Sequence, residues 1–250
     1  MKLKSLFSLL GFEIYRKSKK NKIKFDSSQK PLYIELVGVS GVGKSTIYQK
    51  AIQNQFNFWT LNDFKENNPK VNFQAVLDGQ SFYQDLAKYQ WDYIQKMDIL
   101  ETDKFRIAHW NYKTLLDDAA VHLHNKNSIV LSDEGILHNF QFALLNSYKS
   151  DPNSLNDFIK NRAVVYCYSS VDGIVEQILR RKEETGRTVS HHKGKSKDEL
   201  HDIVKRDLEE KEEFLEIMFN TGIPILRIST QDSLELNSKK INKFIEELSN

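Results

Sequence analysis

The sequence predicts an α/β fold in which helices cover both faces of a mostly parallel five-stranded sheet, giving three layers. Strand-like apolar runs alternate with helix-compatible segments along the chain, which is the pattern of β-α-β units. A glycine-rich stretch separates the first apolar run from the first helix. The length of 250 residues, with 40% hydrophobic and 28% charged residues, is ordinary for one large globular domain.

Local patterns predict the individual elements. Apolar runs bounded by polar or turn residues predict strands at 32–37, 56–60, 128–132, 163–168 and 224–228. Helical patterns predict helices at 44–55, 137–147, 198–220 and 237–248, a helix from Ser170 or Asp172 toward Arg181, and a mostly helical region at 73–124. The aromatic residues of that region are interpreted as core, and their density also permits a pocket for a planar or ring-shaped molecule.

The first 25 residues differ in charge from the rest of the chain. Residues 1–25 carry eight Lys/Arg and one Glu, a net charge of +7, whereas the remainder is at −5. We therefore divide the chain into an amphipathic basic arm, 1–25, and a domain, 26–250. The arm is interpreted as a helix packed on the domain, as a contact with a membrane surface or a partner protein, or as a nucleic-acid contact. The domain has no charge bias toward nucleic acid.

Cysteine usage and hydropathy limit the class of protein. Cys167 is the single cysteine, which excludes an intramolecular disulfide and a cysteine-based zinc site, and its strand-like surroundings indicate an inert buried thiol. No run approaches the roughly 18 apolar residues of a membrane span, and no cleavage site follows the short apolar run near the amino terminus. We expect a cytoplasmic protein, with association at the inner face of a membrane left open by the arm.

The stretch Gly38–Thr46, here called the P-loop, fits G-x-x-x-x-G-K-[ST] between a predicted strand and a predicted helix. Its glycines let backbone N–H groups surround an anion at a helix N-terminus. We expect Lys44 to contact the β- and γ-phosphates of ATP, Ser45 to bind Mg²⁺, and Thr46 to reach the α-phosphate. The predicted nucleotide-binding residues are Gly38, Ser40, Gly41, Val42, Gly43, Lys44, Ser45 and Thr46.

Two acidic residues, Asp133 and Glu134, end the third predicted strand. Ligands of open parallel sheets bind at the carboxyl ends of strands, and Mg²⁺ prefers oxygen ligands. Asp133 is therefore the second predicted metal ligand, beside Ser45. Either carboxylate could instead accept the proton of an attacking hydroxyl.

A basic, glycine-containing segment at about 182–198 is predicted to be a mobile lid. Arg181 and Arg187 are expected to close over transferring phosphoryl oxygens, because arginine suits that charge distribution. His191 and His192 are interpreted as solvated lid residues, since no further zinc ligand stands nearby in the sequence.

With these parts in this order, residues 31–250 resemble P-loop nucleoside and nucleotide kinases of the thymidylate kinase and deoxynucleoside kinase type. The resemblance implies catalytic roles for Lys44, Asp133 or Glu134, Arg181 and Arg187, ATP and Mg²⁺ as cofactors, and a nucleotide-base site at 230–233. One departure concerns the arginine that commonly follows the strand-end acid in these families. Glu134 or Gly135 occupies that slot here, and Arg106 is a possible replacement.

The reading that fits best is a kinase that transfers the ATP γ-phosphate to a hydroxyl or phosphate of a nucleoside, nucleotide or sugar-type acceptor. A carbohydrate kinase of bacterial surface-polysaccharide biosynthesis and a non-catalytic nucleotide-binding module recruited by the arm are the alternatives, and a homodimer is left open. A GTPase switch is disfavoured, because neither N-K-x-D after the fourth strand nor D-x-x-G is present.

Overall fold

A computed structural model of the chain describes residues 32–53, 58–69, 81–156, 158–186 and 188–249. The predicted basic arm, 1–25, lies outside the described residues. None of the described helices is both long enough and apolar enough to span a membrane.

The sheet consists of β1 (Leu32–Val37), β2 (Trp59–Thr60), β3 (Ile129–Ser132), β4 (Arg162–Tyr168) and β5 (Ile225–Ser229). Its strand order is β2-β3-β1-β4-β5, and all four pairings are parallel. The predicted five-stranded α/β sheet is therefore confirmed, and within the described residues it is entirely parallel rather than mostly so.

The described helices are α1 (Lys44–Gln53), α2 (Leu61–Asn67), α3 (Ser81–Lys96), α4 (Glu101–His124), α5 (Ile136–Asn139), α6 (Gln141–Ser150), α7 (Val171–Thr185), α8 (Lys197–Asn220) and α9 (Leu234–Ser249). Two short 3₁₀ turns lie at Pro152–Leu155 and Ser190–His192. The predicted helix 137–147 is two helices, because Phe140 between them leaves helical geometry.

The predicted loop character of residues 182–198 needs correction at both ends. Helix α7 continues through Thr185 and ends at Gly186, whose φ of +67° is the left-handed conformation that commonly terminates helices. Helix α8 begins at Lys197 behind a capping box, in which Ser196 and Glu199 satisfy each other's backbone N–H groups. Helix caps therefore fix both borders of the segment.

Alternate side chains of the strands enter two apolar cores. Ile34 and Leu36 of β1 pack with α1, α7, α9 and the first part of α8, whereas Val37 packs with α3 to α6 and the end of α8. This alternation is the two-residue period of a strand whose faces are both covered. The result is the predicted three-layer arrangement, with α8 contributing to both cores.

A buried ionic network joins the sheet to the core that contains Val37, here called the second core. Arg162 Nη1 donates to Glu35 Oε1 at 3.0 Å, and its two terminal nitrogens donate to the carboxylate of Asp118 at 2.8 and 2.7 Å. Tyr83 Oη donates to Asp118 at 2.7 Å, and the backbone N–H of Leu137 donates to Glu35 at 2.9 Å. The network thus links β1, β4, α3, α4 and α5.

Substitution of Arg162 by methionine is expected to lower the free energy of unfolding by about 3–5 kcal/mol, because two buried carboxylates would lose their counter-charge. Chemical denaturation measures the loss. Arg227→Met is the control, since Arg227 pairs with Glu212 at 2.7 Å but is 51% exposed, and such a pair contributes about 0–1 kcal/mol. Equal losses in the two variants would contradict a stabilising role for the buried network.

Candidate active site

The predicted functional segments meet at the carboxyl edge of the sheet. The P-loop follows β1, Asp133 and Glu134 follow β3, and Thr230 follows β5. Strand β1 lies between β3 and β4 in the sheet. The chain continues from β1 toward β2 and β3 on one side, and from β4 toward β5 on the other, so the strand order changes direction next to the P-loop. A crevice at such a switch point is where open α/β sheets bind ligands.

The shape of the P-loop depends on glycine at position 41. Its φ is +85°, and a side-chain carbon there would lie 2.5 Å from Ile178 of α7. The loop therefore packs directly against α7 and then enters α1 at Lys44. Ser45 and Thr46 lie exposed in the first turn of α1, where their hydroxyls are accessible to phosphate oxygens, while the N–H of Thr46 donates to Gly43 O at 3.1 Å.

Lys44 lies inside the loop and next to the strand-end acids. Its Nζ donates to the carbonyl oxygens of Gly38 at 3.0 Å and Val39 at 3.3 Å, and the side chain is buried. Burial lowers the pKa of Lys44, and the charges of Glu134 and Asp133 oppose that shift. Lys44 is thus the cation that faces both predicted carboxylates.

Asp133 and Glu134 are partly buried, and burial raises the pKa of each. The charge of Lys44 opposes the rise at both residues, and hydrogen bonds from Trp110 and Asn139 oppose it at Glu134. Asp133 also acts electrostatically on Tyr48 of α1. Glu134 therefore interacts electrostatically with Lys44 and with residues of α4 and α5, whereas Asp133 interacts with Lys44, Lys113 and Tyr48.

The buried ionic network requires glycine at position 135, directly after the two acids. A side-chain carbon at Gly135 would lie 2.3 Å from the carboxyl group of Glu35, which Arg162 and the N–H of Leu137 hold in place. Only glycine lets the chain turn into α5 at this distance. The same network that stabilises the core therefore positions Glu134.

Two residues near Lys44 were not predicted from the sequence. Lys211 of α8 is buried, and its burial together with the charge of Lys44 lowers its pKa to about 7. His138 of α5 is buried, its Nε2 lies 3.8 Å from Glu134 Oε1, and burial followed by the charges of Lys44 and Lys211 lowers its pKa well below 6.5. The imidazole is therefore neutral near pH 7.

Helix α4 presents ring and cationic groups beside the acids. The indole of Trp110 is 47% exposed, and Lys113 Nζ lies 4.8 Å from its ring centroid. Arg106, interpreted from the sequence as a helix-surface residue or as a replacement for the missing arginine, lies one turn before Trp110 and forms an ion pair with Asp103 at 3.0 Å. These residues share one face of α4, since they are three or four positions apart.

Of the two predicted lid arginines, Arg181 lies in the part of the chain that the structure describes. Arg181 is exposed on α7 and lies one turn beyond Gln177, whose amide oxygen would lie 3.5 Å from a side-chain carbon at Gly43. Residues four apart share a helix face, so Arg181 belongs to the stripe of α7 that runs along the P-loop. Arg187 lies outside the described residues.

The predicted base site, 230–233, lies beside the P-loop. The side chain of Thr230 would be 3.9 Å from a carbon at Gly43, and the N–H of Thr230 donates to Tyr168 O at 2.9 Å. Gln231 Nε2 donates to Ser170 Oγ at 3.2 Å, which ties this loop to the start of α7. The loop 230–233 and the start of α7 therefore both lie beside the P-loop glycines.

The donor set beside the P-loop fits Mg²⁺ chemically. The exposed hydroxyl of Ser45 and the partly buried carboxylate of Asp133 are hard oxygen donors, and the other ligands of such a site are phosphate oxygens and water. Neither nitrogen nor sulfur ligands are needed. The residues present therefore fit the predicted ion.

Solved structures similar to this chain include three small-molecule kinases. Shikimate kinase from Bacteroides thetaiotaomicron is 15% identical with a TM-score of 0.46, over 86% of this chain and 98% of that chain. Deoxyadenosine kinase from M. mycoides with bound dCTP is 18% identical with a TM-score of 0.43, over 86% and 100%. A gluconokinase from Sinorhizobium meliloti 1021 is 14% identical with a TM-score of 0.41, over 88% and 94%.

No protein-family model and no curated protein matches the sequence. Identity below 25% and a TM-score below 0.5 carry no inference about substrate, so the chemistry of the site rests on the residues described above.

The lowered pKa of Lys211 gives stability a specific pH dependence. The unfolded chain keeps this proton up to a pH near 10.5, whereas the folded chain loses it near pH 7, so the free energy of unfolding rises with pH between the two values. We expect Lys211→Met to remove about 2 kcal/mol of the increase between pH 7 and pH 9, as measured by urea denaturation. Lys205→Met, on the exposed face of α8, is the control. Parallel pH profiles for all three proteins would contradict the shifted pKa.

Proposed function

We propose that the chain is an ATP-dependent small-molecule kinase that transfers the γ-phosphate to a hydroxyl or phosphate of a nucleoside, nucleotide or sugar-type acceptor. The observation that carries the proposal is the convergence of Lys44 with Asp133 and Glu134 at the carboxyl edge of the sheet. A phosphate cradle alone serves many activities. A partly buried carboxylate with a raised pKa beside it is a group suited to a proton-transfer role.

The contacts of the two acids favour a division of roles. Asp133 acts on Tyr48 of the P-loop helix, so we assign it with Ser45 to Mg²⁺. Trp110 of α4 and Asn139 of α5 lower the pKa of Glu134, so we assign this carboxylate, on the side of those helices, to the acceptor as general base. Bound Mg²⁺ would neutralise charge on the phosphates, while Lys44 exchanges its carbonyl partners for phosphate oxygens.

Transfer to a hydroxyl forms one bond, breaks one bond and moves one proton. The acceptor hydroxyl oxygen forms a bond to the γ-phosphorus, the bond from that phosphorus to the bridging oxygen of ADP breaks, and the hydroxyl proton passes to Glu134. Where the acceptor group is a phosphate, Glu134 has no proton to take and serves by position. Arg181 and Arg187 are assigned to the developing negative charge, which cations stabilise most where water is excluded.

The face of α4 indicates the kind of acceptor that would suit the site. Trp110 offers a ring surface, and Lys113 above it offers a cation that is close to Asp133. An acceptor with a ring and an anionic or polar substituent would use both. Nucleosides, nucleotides and sugars all include molecules of this description.

The test is transfer of labelled phosphate. Purified protein is incubated with γ-labelled ATP, Mg²⁺ and separate pools of nucleosides, nucleotides and sugars, and the products are separated by chromatography. We expect label in at least one pool. Tight ATP binding with no labelled product in any pool would favour the non-catalytic binding module instead.

A further inference from the structure

Three side chains that commonly bind metal ions converge outside the nucleotide site. They are His191 and His192, from the 3₁₀ turn Ser190–His192, and Asp207 of α8. One ligand atom from each lies within 4.8 Å of the other two, and the two imidazole centroids are 4.1 Å apart. The sequence-based interpretation of both histidines as solvated is wrong for His192, which is 3% exposed.

The buried imidazole of His192 has an unused nitrogen. Its Nε2 is shielded from solvent and has no hydrogen-bond partner among the described residues. A buried polar atom without a partner is unfavourable, and such atoms in native proteins commonly mark an unseen ion or water. This unpartnered nitrogen is an observation separate from the clustering, and it indicates a ligand on His192.

We propose that His191, His192 and Asp207 form a Zn²⁺ site. Two imidazoles and one carboxylate are a ligand set that zinc accepts, with a fourth position left for water. Nitrogen ligands disfavour Mg²⁺ and Ca²⁺, which prefer oxygen throughout, so this site is chemically distinct from the one at Ser45 and Asp133. It requires none of the residues assigned to phosphoryl transfer.

The geometry needs only a small adjustment. Tetrahedral zinc with bonds of about 2.0–2.1 Å places its ligand atoms roughly 3.3 Å apart, so the three side chains would close by at most about 1.5 Å. Exposed His191 can supply most of that movement. Two nearby cations oppose the metal ion. Arg206 Nη2 lies 3.8 Å from Asp207 Oδ1, in an ion pair loose enough to be displaced, and the charge of Lys211 also acts on Asp207.

The location suggests what the metal would do. Asp207 and Lys211 are one turn apart on α8, and the charge of Lys44 acts on Lys211. Zinc would therefore fasten the 190–192 turn to α8 about 6 Å along the helix from Lys211. The basic segment between α7 and α8 would be held next to the nucleotide site.

The experiment uses the full chain stripped with EDTA and then titrated with Co²⁺, whose visible absorption is strong in tetrahedral sites, followed by displacement with Zn²⁺. Wild type is compared with Asp207→Asn and His191→Gln, which change ligands at partly exposed positions. His201→Gln is the matched control, because His201 is a partly exposed histidine on the same helix that lies outside the cluster. Asp133→Asn tests separation from the Mg²⁺ residues, and circular dichroism verifies folding.

We expect one equivalent of metal, at least about tenfold weaker binding in each ligand variant, and unchanged binding in His201→Gln and Asp133→Asn. Absence of tetrahedral cobalt absorption in the wild type overturns the proposal. So does binding that survives Asp207→Asn and His191→Gln but disappears in Asp133→Asn. Because both outcomes are read without nucleotide, they do not depend on whether the chain is a kinase.

Discussion

Lys44→Met is expected to lower phosphoryl transfer by about a thousandfold, because it removes the one cation of the P-loop that also faces both strand-end acids. Methionine keeps most of the volume of the buried side chain, so the fold should survive. ATP binding should weaken as well, since the ammonium contacts phosphate in the ground state. Steady-state kinetics with the identified acceptor and equilibrium binding of ATP measure the two effects separately.

Lys50→Met is the matched control for that substitution. Lys50 lies on the same helix and pairs with Glu235 at 2.8 Å, where the glutamate is 66% exposed. We expect its rate to stay within about twofold of wild type, as an exposed pair contributes little. A Lys44→Met protein that retains a tenth or more of the wild-type rate would remove Lys44 from the mechanism.

Glu134→Gln is expected to lower turnover by about a hundredfold to ten-thousandfold while ATP affinity changes little. Glutamine keeps the size of the side chain and one oxygen acceptor at this position, but it cannot take a proton. Asp133→Asn should instead raise the Mg²⁺ concentration needed for half-maximal rate, because Asp133 is assigned to the metal. Rates measured across a Mg²⁺ titration distinguish the two variants.

The control for Glu134→Gln is Glu209→Gln, at an exposed position of α8. If Glu134→Gln is fully active and Asp133→Asn is slow at saturating Mg²⁺, the two roles are reversed. If both carboxylate variants are fully active, neither residue is the base and the mechanism proposed here fails.

Most of the fold could be predicted because each strand is a short apolar run whose neighbours are helical. The run 32–37 is buried along its whole length, so its pattern depends little on tertiary context. Boundaries were harder where helices join. Phe140 separates α5 from α6 although its sequence surroundings are compatible with a continuous helix, because packing of its buried ring sets that bend.

The P-loop could be recognised from the sequence because its residues are consecutive in the chain. The burial of Lys211 and His138 near Lys44 could not be predicted. Each lies in a helix whose sequence gives no sign that a polar side chain turns inward. A lysine in the charged helix α8 resembles its exposed neighbours until burial beside Lys44 is seen. Asp207 was missed as a partner of His192 for the same reason.

The ionic network illustrates a second limit. Glu35, Asp118 and Arg162 are widely separated in sequence. A single glutamate in an apolar strand gives no local sign that it forms a buried ion pair. Only the parallel register of β1 and β4 brings Arg162 near Glu35. Long-range pairing of this kind cannot be read from local patterns.

The most direct test of the kinase assignment follows labelled phosphate from ATP into a small molecule. Wild type and Glu134→Gln are each given ATP carrying ¹⁸O on the γ-phosphate, Mg²⁺ and a metabolite extract, and mass spectrometry records every product that gains labelled phosphate. The account predicts at least one such product with wild type and its near absence with Glu134→Gln. Equal release of labelled inorganic phosphate by both proteins, with no phosphorylated metabolite, would contradict it.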